Sequence, residues 1–224
     1  MNKNGRIILF AGLVVLALFS LPLWLPSLIE RAQAQKAEKP ASTDALILLD
    51  GGWFTGQTQY HVIAVPQVLA WKPGSDKAIW ATETGFLYGG VLNESGTRLY
   101  LIEHRKLGVD SLRDQTFSDH ELYKYNKGWG VFLTKLDPNT GRVINRSQLP
   151  DPPYKSYSDI SLLPLAVKGD TLYIMNYATK NNFFAYDMRA GKFAEQAWTT
   201  CEHGYLMRAI FIESSNSVAS LCTD

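Results

Sequence analysis

Four histidines and two cysteines are the side chains here best suited to metal, acid–base or nucleophilic chemistry, and their spacing limits what they can do. His61, His104, His120 and His203 are scattered along the chain without the close intervals that bring ligands onto one ion. A metal needs three or four convergent donors. The local run Asp119-His120-Glu121 offers three donors side by side, which reads as a solvated loop rather than a ligand set. No nucleophile elbow, phosphate-binding loop or dinucleotide fingerprint occurs. Residue types and spacing therefore point to a chain without a catalytic constellation of its own. The cysteines, Cys201 and Cys222, are the remaining reactive pair, and what they do depends on the compartment.

The N-terminus bears on that. Lys3 and Arg6 precede "IILFAGLVVLALFSLPLWLPSLI", which carries no charge from Ile7 to Ile29. Ala32 and Ala34 in "ERAQAQK" fit the small residues before a signal-peptidase cut. Residues 1–34 read as a signal peptide, or as an uncleaved membrane anchor, because 7–29 is long enough to cross a bilayer. Either way the remainder leaves the cytoplasm, where two thiols tend to be oxidised to a disulfide. A Cys201–Cys222 bond would close a loop of about twenty residues and remove roughly 3 kcal/mol of unfolded-state freedom in the chain-entropy picture. The alternative is two unrelated buried cysteines.

The elements that would carry these residues are strands. The chain is 46% hydrophobic and 12% aromatic, with six Trp and eleven Tyr, which suits a β-rich fold. Its 22 Lys+Arg against 21 Asp+Glu leave a net charge of +1, so it has no basic field to hold nucleic acid. Residues 35–44 are polar and contain Pro40, the composition of a linker. From 45 to 224, short apolar runs alternate with Gly, Asn, Asp and Ser turns.

These runs repeat. "ESGTRLYLIE" (94–103), "VKGDTLYIMN" (167–176) and "ESSNSVASLC" (213–222) share one plan, a polar turn and then a strand. "FLTKLDPNTGRVI" (132–144) and "FFAYDMRAGKFAE" (183–195) share another: an apolar strand ends on Asp, a turn holds Gly, and a basic residue starts the return. In the first of these turns Asp137 can bond backbone groups downstream, Pro138 presets φ, and Gly141 takes a positive φ. Gly96 to Gly169 spans 73 residues and Asp137 to Asp187 spans 50; the excess falls in 104–130, which reads as an insertion between neighbouring strands of one unit. A period of about 45–50 residues with four strands per unit is the pattern of a β-propeller. The expected fold is all-β: about three to four blades, with the last breaking off after its second strand. The three prolines of 147–159 predict an extended connection between blades.

Taken in order, "GFL" (85–87), "LNESGTRLYL", "FLTKLDPNTGRVINRSQLPDPP", "LAVKGDTLYIMNYATKNNFFAYDMRAGKF" and "CEHGYLMRAIFIESSNSVASLCTD" resemble the large (heavy) subunit of quinoprotein amine dehydrogenases, the methylamine and aromatic amine dehydrogenase type. The resemblance covers residues 45–224, roughly the N-terminal half of such a subunit. It departs at "HRKLGVDSLRDQ", where the family usually carries an Arg-Gly-x-Arg-Thr-Asp stretch.

The resemblance implies a seven-bladed periplasmic propeller, itself non-catalytic. Its partner would be a small subunit bearing a tryptophan-derived quinone, which oxidises primary amines and passes electrons to a copper protein or a cytochrome. It implies that Phe86 lines the passage to that cofactor; the competing reading of Phe86 is aromatic packing between blades. It also matches the cysteine pair. The alternative function is an exported or membrane-tethered β-propeller that serves only as a protein-binding platform.

Overall fold

The computed structural model of the 224-residue chain describes residues 44–55, 59–118, 128–151, 162–176, 183–198, 206–212, 215 and 217–222. The described residues are all-β. The first strands are β1 (Leu46–Asp50), β2 (Trp53–Thr55), β3 (Gln59–Ala64), β4 (Gln67–Trp71) and β5 (Ala78–Glu83). Then come β6 (Phe86–Leu92), β7 (Leu99–Lys106), β8 (Thr116–Ser118), β9 (Trp129–Leu136) and β10 (Val143–Gln148). The chain continues through β11 (Leu162–Lys168), β12 (Thr171–Asn176), β13 (Phe183–Asp187), β14 (Lys192–Trp198), β15 (Leu206–Ile212) and β16 (Ser217–Cys222).

These strands make four successive antiparallel sheets and one additional sheet. The first is β1-β4-β5, the second β6-β7-β9-β10, the third β11-β12-β13-β14 and the fourth β15-β16. The recurring sequence segments take equivalent places. Residues 94–103 and 167–176 form the turn and second strand of sheets two and three, and 213–222 contains the second strand of sheet four. The two Asp-to-Gly segments form the turn between third and fourth strands. Asp137 Oδ1 accepts the amide of Asn139 at 2.9 Å, and Asp187 Oδ1 accepts those of Arg189 and Ala190 at 2.9 and 2.8 Å. Gly141 and Gly191 close the turns with φ of 71° and 67°, where a side chain would be strained.

The sheets stack through their faces, and β7 shows how its sequence allows that. Side chains alternate across a strand. Leu99 and Leu101 pack with Val68 and Leu136 between the first and second sheets. Tyr100 and Ile102 join Leu133, Leu162, Leu172 and Ile174 between the second and third. A strand covered on both faces needs an unbroken apolar run, as "LYLI" provides.

The first strands of successive sheets lie against one another: β1 on β6, β6 on β11, β11 on β15. Two glycines permit this approach at β6. A Cβ on Gly89 would fall 2.5 Å from Leu163 Cδ1 of β11, and one on Gly90 would fall 2.7 Å from Leu101 Cδ2 with Leu49 of β1 just beyond. A parallel bridge between Asn93 and Val167 ties the end of β6 to β11.

The insertion sits where the sequence predicts it, since β7 pairs directly with β9 from Leu99 opposite Leu136 to Lys106 opposite Trp129. The sequence did not show its partner. A second insertion, β2 and β3, lies between β1 and β4, and β8 pairs with β3 to make the additional sheet β2-β3-β8. That sheet joins an excursion from the first repeat to one from the second. Residues 1–43, which include the expected leader, lie outside the described residues, as do most of the proline-rich connection and Cys201. No helix among the described residues is long and apolar enough to cross a membrane.

Candidate functional site

Where the additional sheet meets the second sheet, polar and aromatic side chains converge in a way the apolar strand pattern does not require. Glu103 is fully buried in the middle of β7. An isolated carboxylate there would be costly, so donors must surround it. Oε1 accepts from the hydroxyl of Thr134 on β9 and from Arg146 Nε on β10 at 2.9 Å. Oε2 accepts from the amide of Gly85 and from Arg105 Nη1, the latter at 3.2 Å. Four donors from four chain segments thus occupy the two oxygens.

The network also anchors the insertion. Arg105 Nη2 donates to the carbonyl of Asp110 at 2.7 Å. Ser111 Oγ donates to Glu83 Oε2 at 2.8 Å, and Arg113 pairs with Glu83 Oε1, so the insertion loop is fastened to the end of β5. The Arg113 guanidinium, with the Ser111 hydroxyl, holds the Glu83 carboxyl below its usual range. Gly85 is forced by the same crowding, because a Cβ there would collide with the carbonyl of His104 and the Arg105 stem.

Beside the network lies an aromatic cluster. Val62, Leu112, Phe117 and Trp129 form its buried core, with Tyr60, Val65 and Phe86 packed around them. Phe86, at the start of β6, is half-buried. Its ring meets Phe117 edge-on at 5.3 Å and stacks on Trp129 at 5.7 Å. His104 continues the cluster, 4.9 Å from Trp129 and 6.3 Å from Tyr88 between ring centroids. Burial among these rings pushes the His104 pKa down to about 4, so its imidazole is neutral at physiological pH. Trp129 Nε1 is buried with no acceptor.

This arrangement positions segments and offers little for bond making. Every oxygen of Glu103 is engaged, and His104 is neutral and faces rings rather than a nucleophile. Among the described residues no three His, Cys, Asp or Glu come together as a metal site. His61 is on the exposed face of β3, where its Nδ1 lies 2.9 Å from Thr116 Oγ1 of β8. His120, His203 and the Asp119–Glu121 run lie outside the described residues. The backbone of Cys222 pairs with Leu206, and the expected bond to Cys201 also falls outside them.

Sequence reasoning picked out Phe86 and passed over Glu103, Arg105 and Arg146. The signal was present in "LIEHRK", where three charged residues and a histidine interrupt a strand whose apolar run predicts burial on both faces.

No protein-family profile matches this chain, and no curated protein sequence matches it. Among solved structures, the crystal structure of BamB from Moraxella catarrhalis is similar with a TM-score of 0.35 at 14% identity, over 73% of this chain and 38% of that one. The chain therefore spans well under two thirds of that protein's length.

Proposed function

We propose that this chain is an exported or membrane-tethered protein of propeller type whose repeated sheets serve as blades, and that it works as a protein-binding platform. The observation that carries this reading is the additional sheet β2-β3-β8. It lies outside the repeat, is built from insertions of two neighbouring units, and is seated on a fixed aromatic and ionic base. Its inner face, with Tyr60, Val62 and Phe117, is packed. Its outer face carries Gln59, His61, Thr116 and Ile63, the last 63% exposed. A strand-paired polar surface with a projecting apolar residue suits a protein partner better than a small substrate. The test is co-purification of the full chain from its native host after mild cross-linking, beside Ile63→Asp. A stoichiometric partner lost in the variant, with the β spectrum unchanged, supports the reading. A chain that remains alone, or a partner that ignores the substitution, overturns it.

A second reading names the partner as a small subunit carrying a tryptophan-derived quinone, with electrons passing on to a copper protein or cytochrome. It is supported by the order of the segments quoted above and by the place of Phe86, half-buried directly beneath the additional sheet, from which it would line a passage to the cofactor. Amine-dependent dye reduction by the co-purified complex tests it. A changed KM profile across amines of different size in Phe86→Ala supports the passage role. A complex with no such activity removes this reading and leaves the platform standing.

A further inference from the structure

A cleft of about 390 Å³ opens between the second and third sheets, away from the additional sheet. It forms where two turns of the third sheet overhang the face of β7, β9 and β10. Its floor is apolar: Leu133 and the rings of Tyr100 and Tyr186 are buried there, with Met188 beside them. Its walls are polar. Lys135 holds its Nζ 5.7 Å from the centre of the Tyr100 ring, and Asn145 and Ser147 line the β10 side.

Across from these, Asp170 and Arg189 stand on the two turns. The amide of Met188 donates to the carbonyl of Asp170 at 2.8 Å, which ties the two turns together. Neither the Asp170 carboxylate nor the Arg189 guanidinium makes an ion pair or side-chain hydrogen bond among the described residues. The cleft thus presents one unpaired cation, one unpaired anion and neutral hydrogen-bonding groups above an apolar floor. Its volume lies at the small end of the range of about 300–1,000 Å³ typical of ligand sites.

We propose that this cleft binds a free α-amino acid with a large apolar side chain. Its carboxylate would sit on Arg189, its ammonium on Asp170, and its side chain over Leu133, Met188 and the tyrosine rings. The signs of the charges select this class. Asp170 disfavours a simple carboxylate, and Arg189 disfavours a simple amine. The Tyr186 phenol is held protonated by burial and by the neighbouring Asp187, so it offers a donor rather than a third charge. The proposal does not depend on either reading of the additional sheet.

Isothermal titration calorimetry on the full chain tests it, with L-phenylalanine as probe and phenylacetate and phenethylamine as arms that each lack one charged group. The expected result is saturable 1:1 binding of L-phenylalanine, with each arm weaker by about tenfold or more. Asp170→Asn should weaken L-phenylalanine about tenfold while leaving phenylacetate as it was or tighter; Arg189→Gln should weaken L-phenylalanine and phenylacetate together. Asp170 and Arg189 are exposed, so both variants should keep the parent circular dichroism, and Lys72→Gln in the connection between β4 and β5 serves as a distant control. No saturable heat up to roughly 10 mM, equal affinity for phenylacetate, or indifference to Asp170→Asn would each overturn the proposal.

Discussion

Arg146 Nε lies 2.9 Å from Glu103 Oε1, although the two residues are 43 positions apart and belong to strands that are not neighbours. β9 runs between them, and its Thr134 hydroxyl bonds to both: it donates to Glu103, and Arg146 Nε reaches it at 3.1 Å. Three adjacent strands are thereby pinned across the sheet by one carboxylate. Arg105 and the Gly85 amide extend the hold to the insertion and to the entrance of β6.

Removing that carboxylate leaves Arg105 and Arg146 without their counter-ion and the Gly85 amide without its acceptor. Glu103→Ala should destabilise the fold by about 3–5 kcal/mol, the usual cost of breaking a buried pair from one side. Urea denaturation checks this. A midpoint within error of the parent would show the network to be dispensable.

Gly85 should tolerate no side chain. Its Cβ would collide with backbone, the His104 carbonyl, which cannot rotate away as a side chain can. Gly85→Ala should cost about 1–3 kcal/mol or more through overpacking. Gly51→Ala, where nothing lies within 4 Å, should stay within about 0.5 kcal/mol of the parent. Paired thermal melts give the comparison.

His104 makes stability depend on pH. Its folded pKa of about 4 lies below the ordinary 6.5, so between these values the unfolded chain binds a proton that the folded chain refuses. Its contribution is therefore full above pH 6.5 and falls with acidification, by about 1.4 kcal/mol per unit and about 3 kcal/mol over the window. His104→Phe keeps a ring beside Trp129 and removes the proton site. Urea midpoints from pH 7 to 4 should fall less steeply in the variant, and equal slopes would assign the acid sensitivity elsewhere.

The aromatic cluster should separate packing from polarity. Phe117 is 1% exposed, and Phe117→Ala should cost about 3–5 kcal/mol and loosen the additional sheet. Trp129→Phe should cost much less than Trp129→Ala, because it retains a ring and deletes a buried N–H that has no acceptor. Denaturation midpoints of the three variants order these costs.

The export reading carries its own test. Thiol titration of the denatured, unreduced chain should find no free sulfhydryl at Cys201 or Cys222. Two reactive thiols would rule out their bond.

Much of the repeat was legible because its determinants are local. Asp137 and Asp187, each four residues before a glycine, mark the turn between third and fourth strands whatever surrounds them, since the side chain bonds its own backbone. "TRLYLI" and "DTLYIM" mark the second strands by their apolar runs. The excess of 104–130 was readable as an insertion by comparing the two intervals.

The amino-acid sequence by itself determined the turns, the strands and their recurrence, because these follow from side chains acting on backbone within a few residues. Only the tertiary structure decided that β8 pairs with β3, that Glu103 meets Arg146 beyond an intervening strand, and that Asp170 and Arg189 overhang the face of β9. Such contacts join segments distant along the chain, and local pattern carries no record of them. They are selected when sheets stack and buried charges have to find partners.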